Sequence, residues 1–124
     1  MNDLFIKNTP STPEIKFEKS GNLSIKGKSL PEDPRKFYNP LFKWLEDLET
    51  ETLDLKVQLE YVNTSSSKRI IELLKIVDNN KKIRKASLYW YYDVDDPDML
   101  EFGEVIQHNL RNTKTQFIGY EEED

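Results

Sequence analysis

The chain has 124 residues, a net charge of −5, a third of its residues charged and no cysteine. This length fits one domain, and the missing thiols exclude disulfides, thiol catalysis and thiolate metal sites. A negative chain is a poor general ligand for nucleic acid, which requires a surplus of Lys and Arg on one face. No apolar run approaches the roughly 18 residues of a membrane span, and the start lacks the features of a signal peptide. These features predict a cytoplasmic protein that does not insert into a membrane.

The first part of the chain predicts short strands. Residues 14–17 and 23–26 alternate between apolar and polar side chains around Ser20-Gly21-Asn22. Two alternating runs joined by a glycine-containing turn are typical of a β-hairpin. Residues 27–34 predict a connection to the next element.

Two starts are open for the first helix. Asn39 would serve as its N-cap, with Pro40 at the first helical position. Alternatively, the helix begins near Asp33-Pro34, and Pro40 produces a kink within it. Helical spacing follows in either case at Leu41, Trp44, Leu45 and Leu48.

Strand and helix patterns alternate through the rest of the chain. The strand at 53–62 places five apolar side chains on one face: Leu53, Leu55, Val57, Leu59 and Tyr61. A second helix ends at 78–80, the next strand covers 84–92, a third helical face begins at Met99, and a last strand covers 115–120. This order predicts an α/β fold with a mixed central sheet, about three helices and right-handed crossovers. We expect one domain at residues 1–120 and an acidic tail at 121–124.

The aromatic end of strand 84–92 predicts burial on both faces. Alternation sends Trp90 and Tyr92 to one face and Tyr89 and Tyr91 to the other. Such a pattern is typical of a strand packed on both sides.

The acidic segment from Asp93 to Asp98 predicts a helix start rather than a metal site. A calcium loop beginning at Asp93 would place Asp98 where such loops require glycine. Asp95 or Asp96 instead suits an N-cap, with Pro97 at the first helical position. The sole histidine, His108, is interpreted as a surface residue near the end of this helix.

The segment from Asn63 to Lys68 joins a strand end to a helix start and carries four hydroxyls: Thr64, Ser65, Ser66 and Ser67. Functional groups collect at the carboxyl ends of strands in open α/β sheets, and one hydroxyl is enough for a helix cap. Lys68 and Arg69, expected in the first turn, are unfavourable beside the helix dipole by about 0.3–1 kcal/mol. The same cations would attract a phosphate. A phosphorylation site and an ordinary serine cap both stay open.

Five segments of the chain match one known family. They are TPSTPEI at 9–15, GKSLPE at 27–32, FYNPL at 37–41 with Trp44-Leu45, YVNTSSSK at 61–68, and WYYD at 90–93 with Asp96. Together they resemble the SiaC family of bacterial regulatory phosphoproteins over nearly the whole length.

The resemblance implies a single STAS-like domain, similar to anti-sigma-factor antagonists. We expect no cofactor and no enzymatic activity, because the sequence lacks glycine-rich phosphate-binding motifs and has a single histidine. It implies that Thr64 is phosphorylated by a Ser/Thr kinase and dephosphorylated by a PP2C-type phosphatase. The unphosphorylated form would bind and activate a diguanylate cyclase, which links the protein to cyclic di-GMP and biofilm formation. The expected partner-binding residues surround the acceptor: Asn63, Ser65, Ser66, Ser67 and Lys68.

Three other functions stay open. A small-ligand or nucleotide-binding module would use the same helix start. A constitutive scaffold would bind its partner whatever the state of Thr64. A small hydrolase is the weakest alternative, since the sequence offers its hydroxyls no convincing general base.

Overall fold

A mixed six-stranded sheet forms the centre of the fold. The computed structural model describes residues 1–122, so Glu123 and Asp124 of the expected acidic tail lie outside the described residues. The strands lie across the sheet in chain order: β1 (Leu4–Ile6), β2 (Glu14–Phe17), β3 (Asn22–Ser29), β4 (Thr50–Val62), β5 (Ile83–Asp93) and β6 (Thr113–Tyr120). The pairs β1–β2 and β2–β3 are antiparallel, which confirms the hairpin, and β3 to β6 are parallel.

Three helices connect the four parallel strands: α1 (Pro34–Asp47), α2 (Thr64–Asn79) and α3 (Pro97–His108). Each connection moves one strand in the same direction across the sheet, so right-handed crossovers place all three helices on one face. None of these helices is long and apolar enough to cross a membrane, a finding that covers residues 1–122.

The core lies between the helices and alternate side chains of the sheet. On β4 these are at most 2% exposed: Leu53, Leu55, Val57 and Leu59. Tyr61 was expected to continue this row, but it is 51% exposed. The register explains the difference, because Gly27 pairs with Leu59 whereas Lys28 pairs with Tyr61, leaving Glu60 as an extra residue. Such an irregularity breaks the alternation of faces.

The aromatic strand is covered on one face only. Trp90 is fully buried, donates from Nε1 to the Met99 carbonyl oxygen at 3.0 Å, and meets Phe102 edge-on. Tyr89 and Tyr91 point to the opposite face and are only half-buried. The prediction of packing on both sides was therefore wrong, because the crossovers leave that face without a helix.

The start of α1 is the earlier of the two sequence alternatives. The carboxylate of Asp33 accepts a hydrogen bond from the Lys36 amide at 3.1 Å, and Pro34 occupies the first turn. Pro40 lies inside the helix, so Asn39 is not its N-cap.

The connection expected at residues 27–34 is shorter than predicted, since β3 continues to Ser29.

Asp78, near the end of α2, forms hydrogen bonds with the segment between α3 and β6. Its side chain is only 8% exposed. Its carboxylate accepts hydrogen bonds from the amides of Arg111 and Asn112 at 3.0 and 2.8 Å and from the Thr113 hydroxyl at 2.9 Å. Three donors from one short segment therefore depend on a single buried carboxylate.

We expect Asp78→Ala to lower the free energy of unfolding by about 2–4 kcal/mol, because it leaves partly buried donors without an acceptor. Exposed Asn79 provides the control, and Asn79→Ala should change stability by less than about 0.5 kcal/mol. Urea denaturation followed by circular dichroism measures both. Equal midpoints for the two variants would contradict the role given to Asp78.

Candidate functional site

The candidate site lies where β3 and β4 end and α1 and α2 begin. The amide of Asn63, just after β4, donates to the carbonyl oxygen of Ser29, the last residue of β3, at 3.1 Å. Because the two strands are parallel neighbours, both helices start at the same edge of the sheet. The structure thereby brings together residues of two strand-to-helix junctions.

Asn63 is the N-cap of α2. Its backbone is extended, and its side-chain oxygen accepts a hydrogen bond from the Ser66 amide at 2.9 Å. The serine cap that the sequence left open is therefore not formed, and the expectation that Lys68 and Arg69 lie in the first turn was wrong. The helix begins at Thr64, so the two cations fall in the second turn, where the dipole opposes them less.

The four consecutive hydroxyls have four different environments. Ser65 donates to the Asn63 side-chain oxygen at 3.3 Å, and Ser67 donates to the Asn63 carbonyl oxygen at 3.0 Å. Ser66 is 0% exposed, and its hydroxyl meets no partner among the described residues. Thr64 is exposed, and its hydroxyl makes no hydrogen bond within residues 1–122. In this group Thr64 alone combines exposure with a free hydroxyl.

An open cleft of about 700 Å³ contains Thr64. It is lined by Asp33, Pro34, Arg35, Asn63, Thr64, Ser65, Lys68 and Arg69. Arg69 pairs with Glu72 at 2.6 Å. Arg35 and Lys68 are exposed, and neither has a carboxylate within 4.0 Å in the described part of the chain. The cleft therefore presents two uncompensated cations next to a free hydroxyl.

The sequence does not relate Arg35 or Asp33 to Thr64, because Arg35 lies on the preceding helix and Asp33 caps it. The signal that relates them to Thr64 is topological. Two successive parallel strands each run directly into a helix, so the two helix starts are neighbours.

Exposed apolar side chains follow three neighbouring strands at this edge. Leu30 comes after β3 and is 37% exposed, and Tyr61 near the end of β4 is 51% exposed. Val94 follows β5 and is 49% exposed. This edge of the sheet therefore presents three exposed apolar side chains together with the cations Arg35 and Lys68.

The acidic segment after β5 forms a helix cap. The Asp96 carboxylate accepts a hydrogen bond from the Met99 amide at 3.1 Å, and Pro97 begins α3. Of the two predicted caps, Asp95 and Asp96, the second is confirmed. His108 is the last residue of the helix, as expected. Within residues 1–122, no three side chains of His, Asp or Glu are grouped so that they could hold a metal ion.

A buried tyrosine connects the two helices of the site through hydrogen bonds. The hydroxyls of Tyr38 on α1 and Ser29 share a hydrogen bond of 2.6 Å. Burial raises the pKa of Tyr38 to about 12, although the hydrogen bond to Ser29 acts in the opposite direction. Since Ser29 also receives the Asn63 amide, Tyr38 links α1 to the start of α2.

A family model described as "SiaC family regulatory phosphoprotein" matches residues 6–120. The chain belongs to the SiaC family. In sequence, it is 33% identical over 114 residues to an uncharacterized protein of Pseudomonas aeruginosa strain UCBPP-PA14, covering 88% of this chain and 90% of that protein.

Two solved structures show the same SiaC fold. SiaC of P. aeruginosa aligns with a TM-score of 0.85 and 28% identity, covering 97% of this chain and 100% of that chain. A second crystal structure holds the diguanylate cyclase SiaD in complex with its activator SiaC. It gives a TM-score of 0.85 and 28% identity over 95% of this chain and 100% of that chain. These likenesses confirm the resemblance and the α/β fold stated from the sequence.

The raised pKa of Tyr38 predicts a specific pH dependence. The pKa of Tyr38 is about 12 in the folded chain and 10.0 in the unfolded chain. Its contribution to the free energy of unfolding is therefore complete below about pH 10. This stabilisation disappears as the pH rises to about 12, which lowers the free energy of unfolding by roughly 2–3 kcal/mol. We expect unfolding free energies measured between about pH 9 and 12 to show this loss in the unmodified chain and not in Tyr38→Phe. Tyr61→Phe, at an exposed position, should retain it, and an identical pH profile for the two variants would refute the assignment.

Proposed function

We propose that this SiaC-family chain is a partner switch controlled by phosphorylation of Thr64. A Ser/Thr kinase adds the phosphate and a PP2C-type phosphatase removes it. The unphosphorylated form binds and activates a diguanylate cyclase and thereby acts on cyclic di-GMP. The observation that carries the proposal is the environment of Thr64, the exposed and unbonded hydroxyl of the four.

Two findings from relatives support this function. The family is described as one of regulatory phosphoproteins. In P. aeruginosa, SiaC is the activator found in complex with the diguanylate cyclase SiaD. We infer that this chain likewise has a regulatory rather than a catalytic role.

The surroundings of Thr64 explain why a phosphate there would change partner binding. A phosphate adds about −1.5 to −2 charges at neutral pH. Leu30 and Tyr61 flank the same junction with exposed apolar side chains. A partner that covers this edge of the sheet would have to desolvate a phosphate on Thr64, which weakens the complex.

The partner surface predicted from the sequence requires one change. Asn63, Ser65, Ser67 and Lys68 remain in it, because they surround Thr64 and are exposed or half-buried. Ser66 does not, since its side chain is fully buried and cannot contact a partner directly.

We expect Thr64→Ala to retain binding to the cyclase of the same organism and to resist phosphorylation. Thr64→Glu should weaken binding by tenfold or more, about 1.4 kcal/mol, because it places a permanent charge at the interface. Ser20→Ala is the control, because its exposed hydroxyl lies in the turn before β3 and outside this surface, and it should behave like the unmodified chain. Isothermal titration calorimetry measures the affinities, and site-resolved phosphopeptide mass spectrometry on native cells identifies the acceptor.

Equal cyclase affinity of the phosphorylated and unphosphorylated proteins would contradict the switch and favour a constitutive scaffold. A phosphate found only on Ser65 or Ser67 would move the acceptor within the same site. Thermal stabilisation by nucleotides, without phosphorylation in cells, would favour a ligand-binding module that uses the cleft.

A further inference from the structure

We propose that Arg35 and Lys68 hold the phosphate of phosphorylated Thr64, so that modification takes both cations away from an acidic group of the partner. This inference rests on the proposed function, because it requires a phosphate on Thr64. It adds an intramolecular step: the phosphate is bound by the chain that carries it. It also gives the chemistry of the partner group that occupies the cleft in the unphosphorylated state, a carboxylate.

The first argument is the placement of the two cations. Lys68 follows Thr64 by four residues on α2, so the two side chains lie one helical turn apart on the same face. Arg35 lies on α1, directly after Pro34, and lines the same cleft as Thr64 and Lys68. The two cations thus come from different helices and line the cleft that contains the hydroxyl.

The second argument is that both cations are available. Arg69, the third cation of the cleft, is held by Glu72 at 2.6 Å. For Arg35 and Lys68, no carboxylate lies within 4.0 Å among residues 1–122. The acidic member of the lining, Asp33, has a carboxylate oxygen bonded to the Lys36 amide at 3.1 Å and repels a phosphate only partly.

The third argument is the fit between the groups. The guanidinium of Arg35 offers a planar set of donors that matches two phosphate oxygens, and the ammonium of Lys68 adds a third donor. A phosphate of about −2 charges and two cations then nearly neutralise each other. The carboxylate of Asp33 then remains as the uncompensated negative charge of the lining, and the switch acts largely by withdrawing positive charge from the surface.

This mechanism explains how one modification can change two contacts. In the unphosphorylated chain, Arg35 and Lys68 point into an open cleft and attract a carboxylate of the partner. After modification, the phosphate competes at high effective concentration because it is attached to the same chain. The partner then loses its charged contact and meets a filled cleft.

The experiment measures the titration of the phosphate itself. Phosphothreonine is introduced at position 64 of the full chain during translation, and the ³¹P chemical shift is followed from about pH 4 to 9, through the second phosphate pKa near 6. Arg35→Gln and Lys68→Gln each remove one cation. Lys36→Gln and Lys75→Gln are the matched controls, because they remove an exposed cation from the same helices outside the cleft lining.

We expect the phosphate pKa to rise by roughly half a unit or more in Arg35→Gln and in Lys68→Gln, since nearby cations favour the dianion. The two control variants should titrate within about 0.2 units of the unmodified phosphoprotein, given the weak coupling of distant exposed charges. Circular dichroism confirms that all variants remain folded. The same titration curve for Arg35→Gln and Lys36→Gln would overturn the inference.

The result is separable from the fate of the proposed function. A phosphate pKa that depends on Arg35 supports the phosphate-binding arrangement, even if native cells carry no phosphate on Thr64 and the switch itself fails. Phosphorylation of Thr64 in cells, together with a titration that ignores Arg35 and Lys68, leaves the switch intact and removes this inference.

Discussion

The direction of the parallel connections determines most of what this protein presents to its surroundings. From β3 to β6, each strand leads through a helix to its immediate neighbour, always in the same sense. Right-handed crossovers then bury one face of the sheet beneath the helices and leave the other face to solvent. They also place the start of every helix at the edge of the sheet formed by the carboxyl ends of the parallel strands. The cleft, the exposed apolar side chains and the acidic cap of α3 share that edge for this reason.

Charge is divided along this edge. The cleft at α1 and α2 contains the cations Arg35 and Lys68 beside one carboxylate, Asp33, whereas the start of α3 carries the carboxylates of Asp96 and Asp98. The net charge of −5 conceals this division. Next to these cations, Ser29 bonds both to Tyr38 on α1 and to Asn63 at the start of α2. These hydrogen bonds hold the two helix starts together. A surface with separated charges of both signs selects the orientation of a partner as well as its identity.

The sequence predicts those features that depend on neighbouring residues. The hairpin around Gly21, the alternating core of β4 and the cap of α3 follow from local spacing, and each is confirmed. The exposure of Tyr61 depends on an extra residue in β4 relative to β3, which no pattern within one strand reveals. The place of Arg35 in the cleft likewise depends on tertiary contact between two helices. Local pattern gives the elements, whereas register and helix neighbours decide which side chains meet.

At the start of α2, the residue that caps the helix and the proposed phosphoacceptor are adjacent but different residues. Asn63 supplies the cap, and the hydroxyl of Thr64 takes no part in holding the helix. A substitution at Thr64 therefore leaves the start of α2 intact, whereas one at Asn63 does not. The hydroxyl can be lost or regained in evolution by a single change at little cost to folding. A chain that lacks the proposed acceptor is accordingly accessible in one step, with the same fold.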